Sequence, residues 1–333
     1  MLRRGLCVLP PRRARDHAPT RTPRSAPPPR RRQHRHNHRS FDRRGARTVI
    51  RPFQPGERAM LIDRKKRRYL VALTPGAEFH THAGFVPHDE VIGQSEGATL
   101  RSTRGGTYTV FRPTLSDFVI EMPRGAQVIY PKDLGPMLML ADIFPGARVL
   151  ESGIGSGALS MTMLRAGAVI HGYEMRDDFA RRAQRNVADF LGDEAMSRYH
   201  VELRDCYEGT ELRDLDRVVL DLPEPWRVVP HAAKALRPGG IIVAYTPSIL
   251  QAVQTRQILE AYGFDLAGTV EVLNRTWHIE GASVRPDHRM VAHTGFLTHA
   301  RLLSERPTPQ LDADADADAD ADTSLDPAVE ADG

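Results

Sequence analysis

Four acids and three glycines carry the chemistry of this sequence. Glu151-Ser152-Gly153-Ile154-Gly155-Ser156-Gly157 leads directly into Ala158 and Leu159, and Glu174, Asp205 and Asp221 each close a later apolar run. Asp221 opens the stretch Asp221-Leu222-Pro223-Glu224-Pro225-Trp226, whose alternate prolines stiffen the backbone and present an aromatic beside the carboxylate. A carboxylate held this way can accept from the exocyclic N–H of an amino-purine, a charged hydrogen bond of roughly 1.5–3 kcal/mol. The aromatic can stack on a base flipped out of its helix. The plainer reading has Asp221 capping the following helix and Trp226 in the core.

The elements that must position these groups follow from the pattern around them. Residues 148–151 are a short apolar run ending at Glu151. Residues 158–165 carry Leu159, Met161 and Leu164 at helical spacing, and 168–174 is a second apolar run ending at Glu174. Together they read as a βαβ unit of about thirty residues. A strand that turns straight into a helix needs positive φ and close backbone approach, which glycine permits. The amides at the helix start then face a ligand. Glu174 falls where an acid of this unit accepts from ribose hydroxyls. Dinucleotide loops read G-x-G-x-x-G, but here the third glycine comes one residue early and Glu151 stands at the mouth. An acid there repels a pyrophosphate and suits a cationic ligand. The pattern therefore favours S-adenosylmethionine over a nicotinamide cofactor; a glycine-rich turn in an ordinary doubly wound sheet is the alternative.

Before this unit, 59–62 and 68–73 read as strands around the basic run Arg64-Lys65-Lys66-Arg67-Arg68, which suits either a solvated turn or phosphate contact. Gly105-Gly106 splits 98–102 from 107–111 as a hairpin. Tyr130-Pro131-Lys132-Asp133 precedes a helix ending near Gly146, with Pro131 in its first turn and Tyr130 placed either to pack or to line a pocket. After Glu174 the pattern predicts helices at 176–190, 226–236 and 248–261, strands ending at Asp205 and Asp221, a strand at 241–245, and long final strands at 270–277 and 289–303. Four parallel strands ending in acids put a polar ligand site on one sheet edge. His80-Thr81-His82 lacks a third ligand at useful spacing, so no metal is expected.

The formal net charge of +4 hides three unlike pieces. Residues 1–48 hold fifteen arginines and two acids, 312–333 hold nine acids and no base, and the middle balances. The first piece is too poor in apolar residues to fold and reads as an over-long start, a nucleic-acid-binding arm or a transit segment. The second is a low-complexity Asp-Ala tail. Cys7 and Cys206 give neither a disulfide framework nor zinc spacing, which fits a reducing cytoplasm. No run approaches the length of a membrane span, so no membrane is expected.

Six stretches carry a closer likeness: 75–82 (PGAEFHTH), 122–133 (MPRGAQVIYPKD), 144–160 (FPGARVLESGIGSGALS), 173–176 (YEMR), 218–226 (VVLDLPEPW) and the run from Arg275 to Leu297. On these residues the chain resembles the tRNA (adenine-58-N1)-methyltransferase family in its bacterial homotetrameric form, nearest its actinobacterial members. The likeness spans 53–303, and the glycine loop within it is common to most class I methyltransferases.

The resemblance implies an α/β fold. A class I S-adenosylmethionine-dependent methyltransferase domain, Rossmann-like with a seven-stranded sheet, occupies 118–305. A small β-rich N-terminal domain covers 49–117, with the arm at 1–48 and the tail at 306–333. It implies S-adenosylmethionine held by Glu151, Gly153, Gly155, Ser156, Gly157, Ala158 and Leu159, with Glu174 on the ribose, Asp205 near the adenine and Asp221 between cofactor and base. Asp221 and Tyr130 would be catalytic, tRNA the partner and substrate, and the cytoplasm the location. Phe179 departs from relatives with a polar residue there. Rivals are a class I methyltransferase of small molecules or proteins, an NAD-dependent oxidoreductase, and an RNA-binding scaffold without activity.

Overall fold

The computed structural model describes residues 51–125 and 127–305, so the arm at 1–48 and the tail at 306–333 lie outside the described residues. A seven-stranded sheet organises the larger part. Its strands are β1 (Arg148–Ser152), β2 (Val169–Glu174), β3 (Tyr199–Leu203), β4 (Leu215–Asp221), β5 (Leu236–Thr246), β6 (Phe264–Glu271) and β7 (Phe296–Leu302). Their spatial order is β6-β7-β5-β4-β1-β2-β3. β7 runs antiparallel to β5 and β6, and the other pairs are parallel. The order reverses between β1 and β4, the switch point where open α/β sheets bind ligands.

Side-chain alternation builds two apolar layers from one sheet. In β4, Val219 joins the cluster on one face, while Val218 and Leu220 join the cluster on the other. Each fully buried aliphatic side chain of this kind contributes roughly 1.5–3 kcal/mol. Helices cover both faces: α1 (Pro131–Leu140), α2 (Ala158–Arg165), α3 (Asp177–Leu191), α4 (Val229–Ala235) and α5 (Ile249–Ala261). Pro131 does occupy the first turn of α1, but the helix ends at Leu140, short of the expected Gly146. Ser248 caps α5 through a capping box with Gln251.

A second, antiparallel sheet has Arg68–Ala72, Arg58–Asp63, Thr107–Phe111 and Thr99–Arg101 side by side over its own cluster of Phe53, Leu61, Tyr108 and Val110. The basic run is the hairpin tip between its first two strands. Asp63 organises the tip by accepting from the amides of Lys65 and Arg67 at 2.8 and 2.9 Å and pairing with the Arg67 guanidinium at 2.7 Å. Arg68 pairs with Asp117. Arg64, Lys65 and Lys66 remain exposed.

The structure corrects two local expectations. The helix expected over 226–236 divides into a single turn, Pro225–Arg227, and α4, because Pro230 starts a new helix instead of continuing the old one. The expected final strands are shorter. β6 stops at Glu271, β7 begins only at Phe296, and between them Trp277–Glu280 and Ser283–Pro286 form their own hairpin. Alternation of apolar residues marks strands but not which strand each will pair with, and the turn Gly281-Ala282 folds this stretch back on itself.

Candidate active site

β1 ends at the loop that the sequence singled out. Parallel register sets Leu220 opposite Ser152, so Asp221 falls beside Gly153. Gly153 has φ 83°, and a Cβ there would sit 2.0 Å from the Asp221 carbonyl oxygen. Only glycine lets β1 and β4 approach this closely. Gly155, at φ 57°, has nothing within 4 Å of a Cβ position and so opens the loop to a ligand. Gly157 is the N-cap of α2, which Ala158 and Leu159 begin as buried residues.

The acids surround this loop. Glu174, the last residue of β2, accepts from the Gly155 amide at 3.1 Å and the Arg176 amide at 3.0 Å, tying the loop to the second strand. Asp205, two residues past β3, accepts from the Tyr207 amide at 2.9 Å and so caps the turn Cys206–Glu208. Glu151 is buried with neither carboxyl oxygen at full hydrogen-bond geometry, although the Ser160 hydroxyl and amide lie close enough to favour its charged form; the Ser156 hydroxyl is likewise buried and unpartnered. Burial pushes the Glu151 carboxyl up to about 8, against the pull of nearby Ser160 and helped by the charges of Asp221 and Glu174. Burial also pushes Asp221 up to about 7, and Glu174 adds to the effect. Three carboxyls at one loop mouth therefore repel one another, an arrangement that a cationic ligand relieves.

Three clefts meet here. One of about 300 Å³ is lined by Gly153, Glu174, Asp205, Tyr207 and Leu222, among others. A narrower one holds Gly153, Gly155, Ser156, Ala158, Leu159 and Asp221 together with Gln127, Val128 and Ile129. Tyr130, half-buried at the N-cap of α1, lines a third cleft that shares Gln127 and Val128 with the second. Asp221 does not cap the turn after it, whose N-cap is Glu224. Trp226 is half-buried, so it is not part of the core, and it lines none of the three clefts. Sequence reasoning missed Gln127 to Ile129, Tyr207 and Leu222. The first three lie inside the quoted stretch before Tyr130, the one signal that pointed to them. His80 is exposed beside Glu78, and among the described residues no group of three His, Cys, Asp or Glu is placed to hold a metal ion.

Comparison with known proteins bears on the family and the fold. A family model described as the tRNA methyltransferase complex GCD14 subunit matches residues 106–285, and one described as TrmI-like N-terminal matches 52–100. A tRNA (adenine(58)-N(1))-methyltransferase TrmI of Thermus thermophilus is 39% identical over 247 residues, 73% of this chain and 95% of that protein. The tRNA (adenine(57)-N(1)/adenine(58)-N(1))-methyltransferase TrmI of Methanocaldococcus jannaschii is 34% identical, covering 74% and 95%. Among solved structures, a SAM-dependent O-methyltransferase of Thermotoga maritima superposes with a TM-score of 0.73 at 30% identity, covering 77% of this chain and 96% of that one. The tRNA (m1A58) methyltransferase TrmI of Aquifex aeolicus gives 0.68 at 27% identity, covering 77% and 100%.

Proposed function

The chain belongs to the tRNA methyltransferase family of the GCD14 and TrmI type, and on that premise we propose that it methylates N1 of adenine 58 in the T-loop of tRNA, using S-adenosylmethionine. The observation that carries the reading is the 39% identity to the Thermus enzyme across 95% of that enzyme's length. The site fits the cofactor on two grounds: the orphaned Glu151 and Ser156 oxygens call for a polar cationic partner, and Gly155 leaves open space above the loop. Glu151, Ser156 and the start of α2 would hold its amino-acid end, Glu174 its ribose and Asp205 its adenine. When bound, it supplies an electrophilic methyl group on a sulfonium.

The residues of this chain then have two tasks. Adenine N1 carries its own lone pair, so no base has to remove a proton, and positioning supplies most of the rate, up to roughly 7–11 kcal/mol in intramolecular analogues. Asp221 accepts from the 6-amino group and orients the ring. As N1 is methylated the ring becomes cationic, its amino group becomes a stronger donor, and the bond to Asp221 tightens in the transition state. A cationic ligand at Glu151 keeps Asp221 ionised for this role. Tyr130 lines the neighbouring cleft, a suitable wall for a flipped base.

The same reading takes 118–305 as the catalytic domain and 49–117 as a small β domain, supported by their separate sheets and apolar clusters. It takes the protein as a cytoplasmic homotetramer. Exposed Trp277, Ile279 and Val284 on the hairpin between β6 and β7 support an assembly surface, and no helix among the described residues is long and apolar enough to cross a membrane. The test is incubation of unmodified tRNA with methyl-labelled cofactor, followed by nucleoside mapping. The expected product is 1-methyladenosine at position 58; label on a ribose or on another base overturns the assignment.

A further inference from the structure

Lys132 and Asp133 follow Tyr130-Pro131 at the start of α1, yet neither lines any of the three clefts. Asp133 is fully buried and the Lys132 side chain is 5% exposed. An ion pair withdrawn from water is a poor device for stability, since well-packed apolar residues often do as well. Its worth lies in fixing one arrangement, and this pair is bonded at each end. Lys132 Nζ donates to Asp133 Oδ1 at 2.8 Å and to the Val272 carbonyl at 2.6 Å. Asp133 Oδ2 accepts from the Thr294 hydroxyl at 2.7 Å. The Thr294 carbonyl accepts from the Tyr245 hydroxyl at 2.5 Å. The Asp133 amide donates to the Tyr130 carbonyl at 2.8 Å.

These bonds converge from distant parts of the chain. Val272 and Thr294 are the two ends of the segment between β6 and β7, and both close on the same ion pair. His293 reinforces the closure, with ring nitrogens 2.7 Å from Glu271 Oε1 and 2.9 Å from the Pro247 carbonyl. Tyr245 stands in register opposite Asp221. Burial pushes the Tyr245 hydroxyl up to about 12, and after the Thr294 bond the charges felt there are those of Asp133, Asp221 and Tyr130. The network thus ends beside the carboxylate assigned to the acceptor base.

We propose that the Lys132–Asp133 pair is a positioning device for the acceptor base. It buckles both ends of segment 272–294 between Tyr130 and the β5 neighbour of Asp221, and so holds the base-pocket wall in one place. The inference rests on the roles given above to Tyr130 and Asp221. A displacement of about 1 Å at such a wall is enough to cost on the order of a hundredfold in rate.

The experiment compares wild type, Asp133→Asn, Thr294→Val, Tyr130→Ala and the combination of Asp133→Asn with Tyr130→Ala. Each is assayed for single-turnover methylation of tRNA, S-adenosylhomocysteine binding and thermal melting. Thr294→Val removes one hydroxyl at a half-buried site and keeps the test open should Asp133→Asn fail to fold. Positioning predicts single-turnover rates down by about tenfold or more in folded variants, cofactor Kd within about twofold, and a combined loss well short of the product of the single ones. A purely structural pair predicts lowered melting with unchanged rates below the melting range, and that result, or multiplicative losses in the combined variant, overturns the proposal. Absence of transfer by the wild type overturns the assigned function itself; transfer by the wild type with unaffected variants overturns only the buckle.

Discussion

Two regions around the site are built on opposite principles. On the loop side, the Glu151 carboxyl oxygens and the Ser156 hydroxyl are buried without partners at full hydrogen-bond geometry, and burial, aided by repulsion from Asp221 and Glu174, drives the Glu151 carboxyl up to about 8. Behind the pocket wall, Lys132, Asp133, Thr294 and Tyr245 are linked in one chain of hydrogen bonds. Unsatisfied buried polar atoms cost stability, so the loop side holds a strain that a charged ligand relieves. The bonded side gains nothing electrostatically from a ligand; it offers fixed geometry. One side is arranged for affinity and the other for orientation, as expected where a cationic donor meets a neutral base.

The largest expected effect is at Asp221, the carboxylate at the loop mouth that meets the acceptor base. Asp221→Asn keeps shape and removes charge, and Asp221→Ala removes both. Each is expected to fold and to lose kcat by about a hundredfold or more, on the order of 3 kcal/mol, while tRNA binding changes far less. A helix-capping aspartate would instead lose about 1 kcal/mol of stability with its rate intact, so a normal single-turnover rate beside a lowered melting temperature removes Asp221 from the mechanism. Next comes the affinity side. Glu174→Ala removes the tie between β2 and the loop, and calorimetry is expected to show S-adenosylhomocysteine binding weakened by about tenfold to a hundredfold, the worth of a charged hydrogen bond. Tight NADH binding with no S-adenosylhomocysteine binding overturns the cofactor.

A smaller effect sharpens the contrast through pH. Glu151 and Asp221 have folded pKa values of about 8 and about 7, above the ordinary 4.5 and 3.8. Between these values the folded state holds protons that the unfolded chain has released. The stability of the ligand-free protein therefore falls as pH rises from about 4 to about 8. Melting temperature is expected to drop by about a few degrees between pH 6 and 8.5, and Glu151→Gln is expected to flatten much of that slope. S-adenosylhomocysteine affinity should move the other way, rising with pH as the carboxylates that meet its ammonium group form. A melting temperature independent of pH in the wild type refutes the strained-loop account. The smallest effect tests a region belonging to neither side: deleting residues 1–48 is expected to leave the single-turnover rate within about twofold, and to reduce only the salt dependence of tRNA binding. A large loss of kcat at saturating tRNA places the arm in the chemistry.

The loop side was legible in the residues because it is local. Glu151, the glycines and Glu174 lie within a single βαβ unit, where strand and helix periods and the demand for positive φ leave few alternatives. The sheet edge of acids was legible for the same reason, each acid closing its own apolar run. Trp226 was less legible: the turn Pro225–Arg227 leaves it half-buried and outside all three clefts, where the sequence offered a core or a stacking position. The hairpin between β6 and β7 was hidden because apolar alternation is the same whichever strand becomes the partner.

By itself, then, the sequence determined the glycine loop, its acids and the kind of ligand they suit, because short-range spacing and backbone sterics act within a few tens of residues. Tertiary structure alone decided that Asp221 lies against Gly153, through the β1–β4 register and the reversal of strand order there. It alone brought Asp133 to Thr294 across 161 residues of chain and Lys132 to Val272 across 140. Hydrogen bonds over such separations depend on which strands become neighbours, and that is settled by the burial of both faces of the sheet at once, a property no single stretch of the chain contains.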